Sequence, residues 1–131
     1  MLLDTSFLID LLRGNNPNAL ERAKELDEKF ERKSIASISV MELWRGAMQS
    51  HLQEVEKKDI NNLLSSLLIH PFNENEAKKA GEVEAELKKS GKMIDLEDIM
   101  IAGVALVHNE TILTRNKKHF SKIKGINIES Y

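Results

Sequence analysis

Met1-Leu2-Leu3-Asp4-Thr5-Ser6-Phe7-Leu8-Ile9-Asp10-Leu11-Leu12-Arg13-Gly14 opens the chain, and its change of period decides how the rest is read. Leu2-Leu3 is a short apolar start that Asp4 interrupts. Phe7, Leu8, Leu11 and Leu12 then recur at i, i+1, i+4 and i+5, the stripe of an amphipathic helix, and Gly14 stops it. Strand, acid and helix follow one another without a linker.

The same alternation continues outward from this stretch. Asn16-Pro17 opens a second helix, with Asn as cap and Pro at the first helical position, running through Ala19, Leu20, Ala23 and Leu26 toward Phe30. Ser34 to Ile38 alternates polar and apolar residues and reads as a second strand, after which Ser39 caps a helix carrying Val40, Leu43, Trp44 and Ala47. A polar helix around Val55 to Leu64 precedes a third strand, Leu67-Leu68-Ile69, stopped by Pro71. Asn73 caps a charged helix that reaches Lys89 and ends at Gly91. Asp95 caps the most apolar helix, Ile99 to His108, with Asn109 as its stop. Thr111 to Thr114 and Ile126 to Ile128 read as the last strands. Strands separated by helices predict a single α/β domain over residues 1–131, a parallel sheet with helices on both faces.

Composition narrows the function. The chain has 131 residues, with 19 basic and 21 acidic side chains and a net charge of −2, so any contact with nucleic acid must be local. There is no cysteine, which excludes a disulfide framework and a thiolate metal site and suits a reducing cytoplasm. The start shows no basic-then-apolar leader, and the longest apolar run, Ile99 to Val107, is about half a membrane span. A soluble cytoplasmic protein with no membrane contact is the expectation.

In open α/β sheets, ligands sit outside the C-terminal ends of the strands. Asp4 ends the first strand, Glu42 lies in the first turn of the helix after the second, Asp98 lies in the first turn of the apolar helix, and Asn116 follows the fourth strand. Each has a structural alternative. Asp4 could cap the first helix, Ser39 and Glu42 fit a capping box, and Asp95 and Asp98 could offset a helix dipole. Carboxylates crowded at one edge repel one another, however, and a cation makes such a site tolerable. Oxygen ligands without cysteine select Mg²⁺, with Mn²⁺ as a substitute, and carboxylate-held Mg²⁺ suits phosphodiester hydrolysis. His51, His70, His108 and His119 lack metal-ligand spacing and read as surface or helix-end residues. Arg115, Lys117, Lys118, Lys122 and Lys124 form a basic stretch, either a solvated surface or a contact for an RNA backbone.

Four segments resemble the motifs of the PIN-domain family in order and at family spacing. They are the opening Leu2 to Leu12, Ser39 to Leu43 with Gly46, Asp98 to Ala102, and Leu113-Thr114-Arg115-Asn116 with His119-Phe120. The short single-domain form is most similar to the VapC toxins. The resemblance implies a Mg²⁺-dependent endoribonuclease, the toxin of a type II toxin–antitoxin pair, with Asp4, Glu42 and Asp98 as metal ligands and catalytic residues. It places Thr5, Ser6 and Asn116 as accessory residues, and Arg115, Lys117 and Lys118 as RNA contacts. It further implies a homodimer and an antitoxin that occludes the acidic cleft, with Trp44 a candidate for that groove or for base stacking, though its spacing with Val40 and Ala47 favours packing. The family's fourth acid is Asn116 here, which leaves the number of metal ions open. Asp95 is expected to cap and Glu97 to face solvent, and Met41, Met48, Met93 and Met100 to pack. The alternative is a non-catalytic module of the same fold that binds RNA or protein. A phosphatase using Asp4 as nucleophile would want an acid at position 6, where Ser stands.

Overall fold

The computed structural model describes all residues from Met1 to Tyr131. Five strands form one parallel sheet in the order β3-β2-β1-β4-β5: β1 (Leu2–Leu3), β2 (Ser34–Ala36), β3 (Leu68–His70), β4 (Ile112–Leu113) and β5 (Ile128–Glu129). The helices between them are α1 (Thr5–Arg13), α2 (Pro17–Glu28), α3 (Ser37–Met48), α4 (Gln53–Leu64), α5 (Glu74–Lys89), α6 (Leu96–Val107) and the single turn α7 (Lys117–Phe120).

Strand period puts successive residues on opposite faces, and each face has its own core. Leu2, Ala36 and Ile112 join Ala80, Val83, Leu87, Ile99 and Ala102 of α5 and α6. Leu3, Ile35 and Leu113 join Phe7, Leu8, Ala19, Leu26, Leu43 and Ile60 of α1 to α4. A strand of two or three residues cannot hold its place alone; each fully buried Leu or Ile contributes about 1.5–3 kcal/mol toward doing so. The tightest helix contact is α5 on α6, where a Cβ at Gly103 would stand 2.9 Å from the Glu76 carbonyl oxygen. No helix is long and apolar enough to cross a membrane.

Some local signals at helix ends act as read, whereas Asn73 takes the cap position of α5 without a side-chain capping bond. The Asn16 side chain accepts from the amides of Asn18 and Ala19, and Gly14 closes α1 at φ +67°. Asn109 stops α6 with a left-handed φ of 51°. Several boundaries differ: α6 begins at Leu96, three residues before Ile99, and β3 is Leu68–His70, one residue later than read. The second strand stops at Ala36, and α3 begins at Ser37 because Ile38 is buried from a helix rather than a strand. Ser39 is therefore inside the helix and caps nothing, and Glu42 lies in the second turn. α2 ends at Glu28, leaving Phe30 outside it, 94% exposed. The last strand is Ile128–Glu129, two residues late, set by the pairing of Ile112 with Ile128.

The order of the sheet reverses between β1 and β4, and the crevice at that switch is where this architecture places ligands. Asp4 and Thr114 leave those two strands side by side.

Candidate active site

Asp4 is fixed by its backbone before its side chain does anything. Its amide donates to the Leu113 carbonyl at 3.0 Å, and its own carbonyl accepts from Phe7 and Leu8, starting α1. The carboxylate makes no capping bond. Instead Oδ2 accepts from the hydroxyls of Ser6 and Thr114, each at 2.7 Å. Oδ1 accepts nothing from the protein although the residue is only 2% exposed. Every fully buried side-chain polar atom has a hydrogen-bond partner, so Oδ1 must be the atom that meets the crevice.

The surrounding backbone locks those hydroxyls. Ser6 Oγ accepts from the Arg115 amide at 3.1 Å, and Thr114 Oγ1 accepts from the Asn116 amide at 2.9 Å. Thr114 is a site residue that sequence reasoning misses. No local signal marks it, because the Asp4 carboxylate it holds lies 110 positions away.

Glu42 comes from α3. Its Oε1 accepts from Thr5 Oγ1 at 2.7 Å, and Thr5 Oγ1 lies 2.8 Å from the buried Ser39 hydroxyl. The capping-box alternative is thereby replaced by a clamp between two helices. Burial pushes the Glu42 carboxyl up from its ordinary value, against the Thr5 hydrogen bond, with the charges of Asp4, Glu97 and Asp98 adding to the rise. Glu97 thus acts on Glu42 rather than standing in solvent alone.

Asp98, at the N-terminus of α6, is also raised. Burial is the largest cause, the His119 hydrogen bond opposes it, and Asp4 and Asp95 push it further up. His119 Nδ1 lies 3.1 Å from Asp98 Oδ2. Ligand atoms of Asp95, Asp98 and His119 fall within 4.8 Å of one another, a tighter trio than Asp4, Glu42 and Asp98 form. Asp95 occupies the cap position but makes no side-chain capping bond. The reading of His119 as a surface residue therefore misses its carboxylate partner; histidine spacing could not show it, because Asp98 is on another helix.

The basic residues separate. The Arg115 guanidinium pairs with the buried Asp10 at 2.8 Å, and Tyr131 donates to the other Asp10 oxygen at 2.6 Å. Lys117 and Lys118 are exposed on α7, and Asn116 caps that turn without a side-chain bond. Trp44 packs half-buried on the second core with Lys57 Nζ over its ring. Met100 packs against the first core, but Met41, Met48 and Met93 are exposed, contrary to their reading as packing residues.

The donor chemistry fits a hard divalent cation. The charges of Asp4 and Asp98 raise Glu42 and that of Asp4 raises Asp98, Asp4 Oδ1 accepts no hydrogen bond from the protein, and the chain has no cysteine. Fold and site together define a parallel α/β domain with an acidic, hydroxyl-buttressed crevice at its topological switch. The PIN domain family model matches residues 1–126, and the chain belongs to that family. It is 31% identical to the tRNA(fMet)-specific endonuclease VapC of Salmonella typhimurium, over 99% of this chain and 96% of that one. Its fold superposes on VapBC2 from Rickettsia felis bound to a DNA fragment from their promoter, with TM-score 0.91, 27% identity, and coverage of 99% and 97%. A toxin–antitoxin complex from Klebsiella pneumoniae matches at TM-score 0.71 and 27% identity, covering 95% and 93%.

Proposed function

We propose that this chain is the toxin of a toxin–antitoxin pair, an endoribonuclease that hydrolyses RNA phosphodiester bonds with Mg²⁺, or Mn²⁺ in its place, held by Asp4, Glu42 and Asp98. The observation that carries the reading is the crowding of carboxylates in one crevice, where the charges of Asp4 and Asp98 bear on Glu42 and that of Asp4 bears on Asp98. Full-length similarity to proteins named ribonuclease and endonuclease VapC favours an enzyme over a binding module. When bound, the ion supplies Lewis-acid stabilisation of the phosphate and makes water a competent nucleophile near neutral pH.

The chain's own residues hold the acids still. Ser6 and Thr114 occupy one oxygen of Asp4 and turn the other toward the crevice. Thr5 holds Glu42, and His119 holds Asp98. Lys117 and Lys118 are the nearest unpaired cations after β4 and contact the RNA backbone in this reading. The neutral Asn116 brings no charge toward a second ion. The partner is a cognate antitoxin, and the working form is a cytoplasmic homodimer.

RNA cleavage with Mg²⁺ or Mn²⁺ tests this. Asp4→Asn and Asp98→Asn are each expected to lower the rate by roughly a thousandfold or more, about 4 kcal/mol of barrier. Undiminished cleavage in both variants would eliminate the site.

A further inference from the structure

An acidic centre in a chain of net charge −2 repels the polyanion it is read as cutting, so affinity for RNA has to come from cations placed elsewhere. The structure separates paired lysines from unpaired ones. On α5, Lys78, Lys79 and Lys88 are neutralised by Glu74, Glu82 and Glu84. Lys92, Lys122 and Lys124 make no ion pair; Lys122 donates only to the Met93 carbonyl, at 3.3 Å.

These three lysines come from two segments roughly thirty positions apart, yet they line one cleft of about 220 Å³. Val83 and Leu87 form its floor, Ser90 adds a hydroxyl, and Glu86 is the one acid among its lining residues. Three ammonium groups against one carboxylate leave a positive cleft. Its place in the chain matters as much. Thr114 holds Asp4, Asn116 is bonded to Thr114, and α7 then presents Lys117 and Lys118 before the chain reaches Lys122 and Lys124. Lys92 stands on the segment that leads into Asp95 and Asp98.

We infer that the Lys92/Lys122/Lys124 cleft is a second RNA-contact site, taking backbone phosphates of the strand that leaves the acidic centre over α7. It rests on the reading of the chain as a ribonuclease and extends it from the cleavage centre to a remote subsite. The contact is to phosphate, so it adds affinity without base preference.

The assay uses Asp4→Asn protein, which does not cut, and a fluorescent single-stranded RNA of about 20 nucleotides, titrated across salt concentrations. Replacing Lys92, Lys122 and Lys124 together by Ala is expected to weaken binding at least about tenfold near 0.15 M salt. The slope of log K against log salt should fall by about 2, at about 0.7 for each phosphate that is no longer neutralised. Replacing Lys78, Lys79 and Lys88 by Ala removes the same charge and should leave affinity and slope nearly unchanged. In the cleaving protein, the cleft variant should raise KM on the long RNA and cut a trinucleotide at the parental rate. Unchanged affinity and slope in the cleft variant overturn the inference, as does an equal loss in the α5 control, and either leaves the nuclease reading standing. If the Asp4→Asn parent binds no RNA at any salt, both fall.

Discussion

The two edges of the sheet bury acids in opposite ways. At the N-terminal edge, Glu110 receives the amino group of Met1, the Ser34 hydroxyl and the His70 ring. Burial pushes its carboxyl up, but those three donors outweigh it and hold it below the ordinary value. At the C-terminal edge, Glu42 and Asp98 receive one donor each and face other carboxylates, and burial drives both upward. A protein able to complete the charge balance of one acid has left Glu42 and Asp98 incomplete at the crevice beside the sheet's topological switch. That difference separates an acid that serves the fold from acids that, in the proposed reading, serve a cation.

The largest effect on stability is expected at the completed edge. Glu110→Gln should destabilise the chain by about 2–3 kcal/mol, because it strips a charge from a part-buried, multiply bonded group and leaves the Met1 amine unpaired. RNA cleavage by the protein that remains folded should be unaffected. Chemical denaturation of the variant measures the first effect, and turnover per folded molecule the second.

At the incomplete edge, Thr114→Val should cost activity or divalent affinity about 10- to 100-fold, with a stability loss of about 1–2 kcal/mol from its two buried hydrogen bonds. The side chain keeps its shape and loses the hydroxyl that orients Asp4 and accepts from the Asn116 amide. Calorimetric Mn²⁺ titration distinguishes this from a folding defect.

The edges also answer pH with opposite signs. Glu110, lowered on folding, stabilises fully above the unfolded value of about 4.3, and that contribution disappears as pH falls through its lower folded value. Glu42 and Asp98, raised on folding, oppose folding at neutral pH without metal, and the penalty is relieved as pH falls through their folded values. In chelator, Glu110→Gln should therefore lose the steepest acid-side fall in stability, and Glu42→Gln should show a steeper one than the parent. Urea midpoints between pH 3 and 7 would read both.

Much of this arrangement was legible in sequence because it is written locally. Asp4 interrupts an apolar start, Asn16-Pro17 and Gly14 punctuate helices, and Asp98 begins the most apolar helix. Those signals placed the acids at one edge. What failed is what depends on a distant partner. Ser34 to Ile38 alternates as a strand would, but Ile38 finds its burial in α3, and five residues are too few to tell the two periods apart. Ser39 and Glu42 have capping-box spacing, yet Thr5 on α1 takes them both. Arg115 stands in a basic run, but the buried Asp10 opposite it belongs to α1. Nothing near His119 in the chain announces Asp98.

In the proposed reading the crevice acids are costly to the bare fold, because burial and neighbouring carboxylates raise Glu42 and Asp98, and a bound divalent ion would offset that cost. Thermal melting of the parent and Asp98→Asn, in chelator and in millimolar Mg²⁺, measures both halves of the statement at once. Asp98→Asn is expected to melt a few degrees above the parent in chelator, and Mg²⁺ is expected to raise the parent while leaving the variant nearly still. A variant that melts below the parent in chelator, together with a parent indifferent to Mg²⁺, would refute it.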